Sequence, residues 1–355
     1  MAISGEERRE LILKAVGESG GTVRLADLAR RLAIPTVTVR RDVAALAEAG
    51  LVGRSHGFVS CRRSPEESAG EPARPRVVGL LVPSAGSYFD AVIEGARSAA
   101  DARGVRLVLG IAPYQTRDDR AQAERLLESG ADGLLLTPNL LPGRPAEEHA
   151  WLDSLPVPAV LVERGAPEDG SPGSGLDTVN SDHRHGVFLA LRHLAALGHR
   201  KVLLAARSDS WTAREVRAGY GRAARLLGLD ALPVLDTLDA TGRPDDPELL
   251  AGRIAEAAAD GVRAVLVHND QDAIQLPPLL RPRGLTVPGD LALIAYDDVF
   301  AALADPPLTA VAPPTRAVGE TAVDLLLRRL TAGHCLPTHR ITLLPALCVR
   351  TSCGG

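Results

Sequence analysis

The sequence predicts an α/β chain in which a small helical head is joined by a linker to a larger body built on parallel sheets. Three observations carry this expectation. Apolar residues recur at helical spacing over the first sixty positions. Residues 61–76, CRRSPEESAGEPARPR, are rich in Pro, Ser, Glu and Arg and show neither a helix nor a strand period, which is linker composition. From Val77 onward, short apolar runs alternate with amphipathic stretches, a pattern that builds right-handed βαβ units. The expected boundaries are a head over 1–60, a linker over 61–76 and a body over 77–355.

Within the head, Glu6–Glu18 places Leu11, Ile12, Ala15 and Val16 on one helical face. Leu25–Leu32 does the same with Leu25, Leu28, Ala29 and Leu32. A third helix is expected over Pro35–Ala49, with Val39, Val43, Leu46 and Ala47 inward, Pro35 in the first turn and Gly50 as the stop. Leu51–Arg54 and Phe58–Ser60 flank a turn at Ser55–Gly57 and read as a short hairpin. In the body, strands are expected at Val77–Val82, Arg106–Leu109, Gly133–Leu136, Ala159–Val162, Lys201–Ala205, Ala264–Val267 and Leu291–Ala295. Helices are expected at Phe89–Arg103, Asp118–Ser129, His185–Leu197, Ala213–Leu227, Pro247–Asp260 and Arg316–Leu330.

Composition narrows the class. Of 355 residues, 45% are hydrophobic and 24% charged, as in globular proteins, so both parts can bury a core. From Met1 to Arg63 eleven Lys/Arg face seven Asp/Glu, whereas the whole chain carries a net charge of −4. A basic head on an acidic body suits a head that meets phosphates. Cys61, Cys335, Cys348 and Cys353 form no Cys-x-x-Cys pair and no zinc spacing, and they read as free thiols of a reducing compartment. With no signal-peptide pattern and no long apolar run, the expectation is a cytoplasmic protein without a membrane partner. No metal or cofactor is expected: His183 and His185 lack a third ligand, and no P-loop is present.

Helix, short turn, helix lets the second helix enter the DNA major groove while the first braces it. Thr36, Thr38, Arg40 and Arg41 are the candidate contacts on the reading helix, Arg being able to make a paired bond to guanine. Arg40 and Arg41 are adjacent and cannot face the same way, so the reading requires at least one of them on DNA. Asp42 is expected to pair with a neighbouring Arg, since its charge would repel phosphate. The runs Leu28-Ala29-Arg30-Arg31-Leu32, Thr38-Val39-Arg40-Arg41-Asp42-Val43, Gly50-Leu51 and Arg54-Ser55-His56-Gly57 resemble the DeoR-type winged helix-turn-helix. The resemblance implies Arg40 and Arg41 in or beside the groove, and Arg54 and His56 on a wing near the backbone. His56 can equally serve as a turn residue.

Open α/β sheets bind ligands at the carboxyl ends of their strands. Those ends here hold Pro83–Phe89, Thr137–Asn139, Glu163–Arg164, Ser208–Arg214, His268–Asp270 and Tyr296–Asp298, a set of aromatic, Arg, Asn and Asp groups that fits a sugar, a nucleoside or another small polyol. In order along the body, Val78-Gly79-Leu80-Leu81-Val82-Pro83, Ala131-Asp132-Gly133-Leu134-Leu135, Leu197-Gly198-His199-Arg200-Lys201, His268-Asn269-Asp270 and Ile294-Ala295-Tyr296-Asp297-Asp298 resemble the ligand-binding body of LacI/GalR regulators. That resemblance implies the two-lobed periplasmic-binding-protein-like fold with parallel sheets, and a homodimer. It also implies ligand contacts at Tyr88, Phe89, Asn139, Arg164, His185 and Asp270.

Trp211, at a strand end, is a further candidate, as a lobe-edge aromatic or a stacking residue. The family often has Arg three residues before the position of Gly219; this chain has Val216, with Arg214 or Arg217 as the possible substitute. The aspartates 297 and 298 read as caps or crossover residues.

The expected function is therefore a DNA-binding transcriptional regulator, a repressor, whose partners are double-stranded operator DNA and a small polar effector. Two other classes fit the sequence less well. A solute-binding protein without a regulatory role does not explain the head. An enzyme lacks a nucleophile–base pairing. LacI/GalR bodies commonly follow a hinge helix, but the linker prolines and missing helical period predict none here.

Overall fold

The computed structural model describes residues 5–18, 22–48, 52–55, 58–61, 74–84, 88–114, 116, 118–140, 146–165, 170–238, 243, 245–332 and 336–354. The chain divides into two compact units, Met1–Arg74 and Pro75–Gly355. Residues 74–76 are neither helix nor strand; the expectation of no hinge helix over 62–73 lies outside the described residues.

The head runs α1 (Gly5–Glu18), β1 (Thr22–Arg24), α2 (Leu25–Leu32), α3 (Thr36–Glu48), β2 (Val52–Ser55) and β3 (Phe58–Cys61). The inward residues named from periodicity form one core: Ile12, Ala15, Val16, Leu25, Leu28, Ala29, Val39, Val43 and Leu46 pack with Val52 and Val59. Leu11 instead faces outward. Between α2 and α3 Ala33 adopts a left-handed conformation (φ 52°). Pro35 stands just outside α3, not in its first turn, and its carbonyl accepts from the amides of Thr38 and Val39. β1 and β2 both pair antiparallel with β3, making a three-stranded wing sheet.

The body contains two sheets. The first lobe has the parallel order β15-β8-β7-β6-β4-β5, from β4 (Val77–Val82), β5 (Arg106–Ile111), β6 (Gly133–Leu136), β7 (Ala159–Val162), β8 (Asp177–Ser181) and β15 (Arg340–Leu343). Its central strands are apolar throughout because both faces are covered. α4 (Tyr88–Asp101) and α11 (Thr315–Ala332) cover one face, and α5 (Asp119–Glu128) with the turn Ala146–Ser154 covers the other. α4 and α11 touch backbone to backbone at Gly95 and Gly319, where any Cβ would overlap the facing carbonyl.

The second lobe holds β9 (Lys201–Ala206), β10 (Asp230–Ala231), β11 (Leu235–Asp236), β12 (Ala264–His268), β13 (Ala292–Tyr296), β14 (Thr309–Ala312) and β16 (Ala346–Cys348). All pairs are parallel except β14 with β16. α6 (His183–Ala196) and α7 (Trp211–Leu227) pack on one face. α8 (Pro247–Ala259), α9 (Asp270–Ala273) and α10 (Leu276–Leu280) lie on the other. The chain crosses between lobes at Ser181–His183, Ala312–Thr315 and Leu343–Ala346, so the strand ends of both sheets meet across a cleft.

Candidate functional site

On the head, α3 presents Thr36, Val37, Arg40 and Arg41 to solvent. Thr36 and Arg40 share one stripe, Val37 and Arg41 the next, by the four-residue repeat of the helix. Val37, 79% exposed, was not among the candidates; an apolar side chain there suits a thymine methyl group. Thr38 is half-buried on the stripe of Asp42. The Asp42 carboxylate, buried in the head, pairs with Arg8 of α1 at 3.0 Å. The expected arginine partner thus comes from α1 and not from Arg40 or Arg41, which leaves both outward. Arg54 lies on β2 opposite Val59, which places it on the wing strand. His56 lies outside the described residues.

In the body, a cavity of about 270 Å³ opens between the lobes. The first lobe contributes Ser84, Tyr88, Phe89 and Tyr114. The second contributes Arg207, Asp209, Ser210, Thr212, the run His268-Asn269-Asp270-Gln271, Asp297 and Val299. Three of the predicted ligand residues, Tyr88, Phe89 and Asp270, are in this wall. Asn139 and Arg164 stand behind it and grip Tyr114: Asn139 Nδ2 donates to the Tyr114 carbonyl (3.1 Å) and Arg164 donates to the Tyr114 hydroxyl (3.3 Å). Arg164 also donates to the carbonyls of Pro138 and Glu163. His185 opens α6 beside Phe188, away from the cavity lining.

The arginine position resolves differently from the expectation. Val216 is fully buried in the second-lobe core. Arg217 is committed to the carbonyls of Ala206 and Arg207 and to Asp236. Arg214 stacks on Trp211, with its guanidinium 3.9 Å from the ring centroid. The guanidinium in the cavity wall belongs to Arg207, held by two bonds to Asp209 (2.9 and 2.6 Å). Arg207 directly follows β9, so the strand-end rule could have found it one residue earlier in the chain. Tyr114 follows β5, which runs two residues beyond its expected end.

The wall is electrostatically prepared. Asp270 Oδ2 accepts from the amides of Val299 (2.8 Å), Phe300 and Ala301 (3.2 Å), fixing the loop after β13. Burial pushes the Asp270 carboxyl up despite those amides. Asp297, with φ 72°, is pushed far up by burial and by the charges of Asp270 and Glu163, and so stays protonated well above the usual carboxylate range. Burial, aided by the charges of His183, Arg207 and Arg217, lowers His268 to about 3 and keeps it neutral. Tyr88 Oη, His268 Nδ1 and Asp297 Oδ1 are buried without a protein hydrogen-bond partner. Unpaired buried polar atoms cost about 1–3 kcal/mol each, and these three belong to residues of the cavity wall. Neither aspartate stands at a crossover: Asp298 is bidentate to Arg350 (2.7 and 2.8 Å) within the second lobe, and Asp297 is in the wall.

Behind the cavity, at the first crossover, Glu163 (φ 51°) accepts from the Ser181 hydroxyl (2.8 Å) and lies 3.4 Å from His183 Nε2. Burial acts to raise the Glu163 carboxyl, but the bonds from His183 and Ser181 and the His183 charge outweigh it and hold it low. His183 Nδ1 meets the Tyr296 hydroxyl at 3.1 Å. His183 and His185 thus take separate partners, and no metal-binding cluster occurs among the described residues. Non-glycine residues in the left-handed region cost of order 1–3 kcal/mol and concentrate where function requires them; Glu163 and Asp297 both adjoin the cleft.

His268 supplies a pH signature. In the unfolded chain it takes up a proton near pH 6.5, in the folded chain only near 3. Its contribution to stability is complete above pH 6.5 and is lost as the pH falls. Relative to a His268→Gln variant, the wild type should lose about 1.4 kcal/mol per pH unit below 6.5, read by urea unfolding at pH 7.5 and 5.5. Asp297 acts in the opposite direction but is common to both proteins. Parallel pH curves for the two would refute the assignment.

Comparison with known proteins finds two domain profiles in the chain. A DeoR-like helix-turn-helix domain profile matches residues 8–64, and a periplasmic binding protein-like domain profile matches residues 191–353. The chain is 30% identical over 290 residues to the ribose operon repressor of Escherichia coli (strain K12), an alignment covering 78% of this chain and 81% of that one. It is 24% identical over 335 residues to the arabinose metabolism transcriptional repressor of Geobacillus stearothermophilus, covering 92% and 89%. Among solved structures, the transcriptional regulator CelR–cellobiose complex superposes with a TM-score of 0.64 at 26% identity, covering 90% of this chain and 91% of that one. Among the described residues no helix is long and apolar enough to cross a membrane.

Proposed function

The chain belongs to the LacI/GalR-type family of transcriptional repressors and carries a DeoR-like head, and on that premise we propose that it is an effector-controlled repressor working as a cytoplasmic homodimer on an operator with two half-sites. The effector is a small polar molecule, a sugar or a related polyol or nucleoside. The observation that carries the effector reading is the interlobe cavity with three unpartnered polar atoms, Tyr88 Oη, His268 Nδ1 and Asp297 Oδ1, and the fixed Arg207 guanidinium. Hydroxyl groups can donate to and accept from that set, and the Tyr88, Phe89 and Tyr114 rings suit the C–H face of a sugar. The names of the relatives, with ribose, arabinose and cellobiose, support the same chemistry.

On the head, Thr36, Arg40 and Arg41 read the major groove, and Arg54 and His56 approach the backbone from the wing. An effector that binds two states of the body unequally shifts their populations, and operator affinity follows by linkage. A thermal-shift panel of ribose, arabinose, cellobiose and nucleosides tests the cavity. A true effector at a hundredfold excess over Kd stabilises by about 2.7 kcal/mol, a shift of several degrees. Arg207→Ala is expected to remove the shift. A panel in which nothing raises the melting temperature would contradict the effector reading.

A further inference from the structure

Trp211 begins α7 beside the cavity residues Ser210 and Thr212, yet it is not part of the cavity wall. Its indole reaches across to the first lobe. A Cβ built on Gly165, just beyond β7, would lie 2.6 Å from Trp211 Cζ2, inside any van der Waals approach. The ring edge therefore rests on bare backbone that only glycine leaves open. The ring face is held from its own lobe. The Arg214 guanidinium lies over it at 3.9 Å from the centroid. Arg214 also reaches Glu215 (3.7 Å), which Arg184 of α6 anchors at 2.7 Å. A line of contacts thus runs from α6 through Glu215, Arg214 and Trp211 to the opposite lobe.

We propose that Trp211 is a latch: its indole, fixed by Arg214, seats on Gly165 and holds the two lobes together beside the cavity, so that this pair of residues sets how readily the cleft opens. The biological meaning rests on the effector reading above, but the contact is testable without any effector. A methyl group at position 165 must push the indole out of its seat or the lobes apart.

The experiment is acrylamide quenching of tryptophan emission in the full chain without added ligand. Trp151, the only other tryptophan, is buried in the first-lobe core and supplies a low background. Gly165→Ala is expected to raise the quenching constant about twofold by freeing the indole. Gly175→Ala, on the same lobe in open space, is expected to change nothing. Hydrogen exchange read by mass spectrometry gives the cross-lobe signature. Gly165→Ala should speed exchange over 208–214 in the other lobe, and Trp211→Ala should speed it over 159–165. The double variant should add nothing to either single one, since both break one contact.

Quenching in Gly165→Ala equal to that in Gly175→Ala, or additive exchange in the double variant, would overturn the latch. Either result leaves the effector reading standing. Conversely, a sugar and nucleoside panel without a binder leaves the latch result readable.

Discussion

Replacing Arg40 and Arg41 together with alanine is expected to weaken specific operator binding by about 2–4 kcal/mol, roughly 30- to 1000-fold. The expectation rests on the way the head is held. The Arg8–Asp42 pair takes up the one acidic group on α3 that could otherwise neutralise its arginines, and the core residues Val39 and Val43 fix the rotation of the helix. Both guanidinium groups are therefore left on the solvent face. The cost divides into two kinds. An arginine on a base edge loses discrimination at its position, whereas one on phosphate weakens all sequences alike and lowers the salt slope by about one unit. Anisotropy titrations on specific and scrambled duplexes at several salt concentrations separate the two. Folding of the body should be unchanged, because the substitutions lie in the other compact unit. Unaltered specific affinity in the double variant would remove α3 as the reading helix.

The second large effect is in the body. His183→Leu is expected to destabilise it by about 3–5 kcal/mol, because it leaves the Glu163 carboxylate buried without its partner. At a few degrees per kcal/mol, the melting transition of the body should fall by roughly 10 °C in calorimetry. Glu163 and His183 are both almost wholly enclosed, with side chains 0% and 1% exposed, at the first crossover between lobes. The Tyr296 hydroxyl loses its imidazole partner as well. Adding Glu163→Gln to His183→Leu should recover part of the loss, since the stranded charge goes with it. A double variant as unstable as the sum of the single variants would show that the pair is not coupled.

The periodic cores of both units were legible in the sequence because burial on both faces forces uninterrupted apolar strands, as in Val77–Val82 and Ala264–His268. Polar and marginal strands were not. Asp177–Ser181 is not among the expected strands, yet it is a buried strand whose Asp177 is neutralised by Arg329 from a helix 152 residues away. The half-exposed strands Arg340–Leu343 and Ala346–Cys348 are too short to display a period.

The strand-end rule located the cavity but not the division of labour in it. Tyr88, Phe89 and Asp270 line the wall, whereas Asn139 and Arg164 act on Tyr114 from behind. Whether a side chain at a strand end faces a ligand or its own lobe depends on partners distant in sequence, and one chain does not display them. Asp297 illustrates the same limit: a left-handed backbone turns it toward the cavity while its neighbour Asp298 turns to Arg350.

One titration reads the coupling between cleft and operator. A duplex selected by the protein from random sequence, carrying two half-sites, is titrated with the full chain in the presence and absence of the compound that raises its melting temperature. Specific binding is expected to be at least about a thousandfold tighter than binding to scrambled DNA. The compound is expected to change the specific affinity by about 5- to 150-fold. Failure to select any sequence, or a specific affinity indifferent to a compound that fills the cavity, would contradict that coupling.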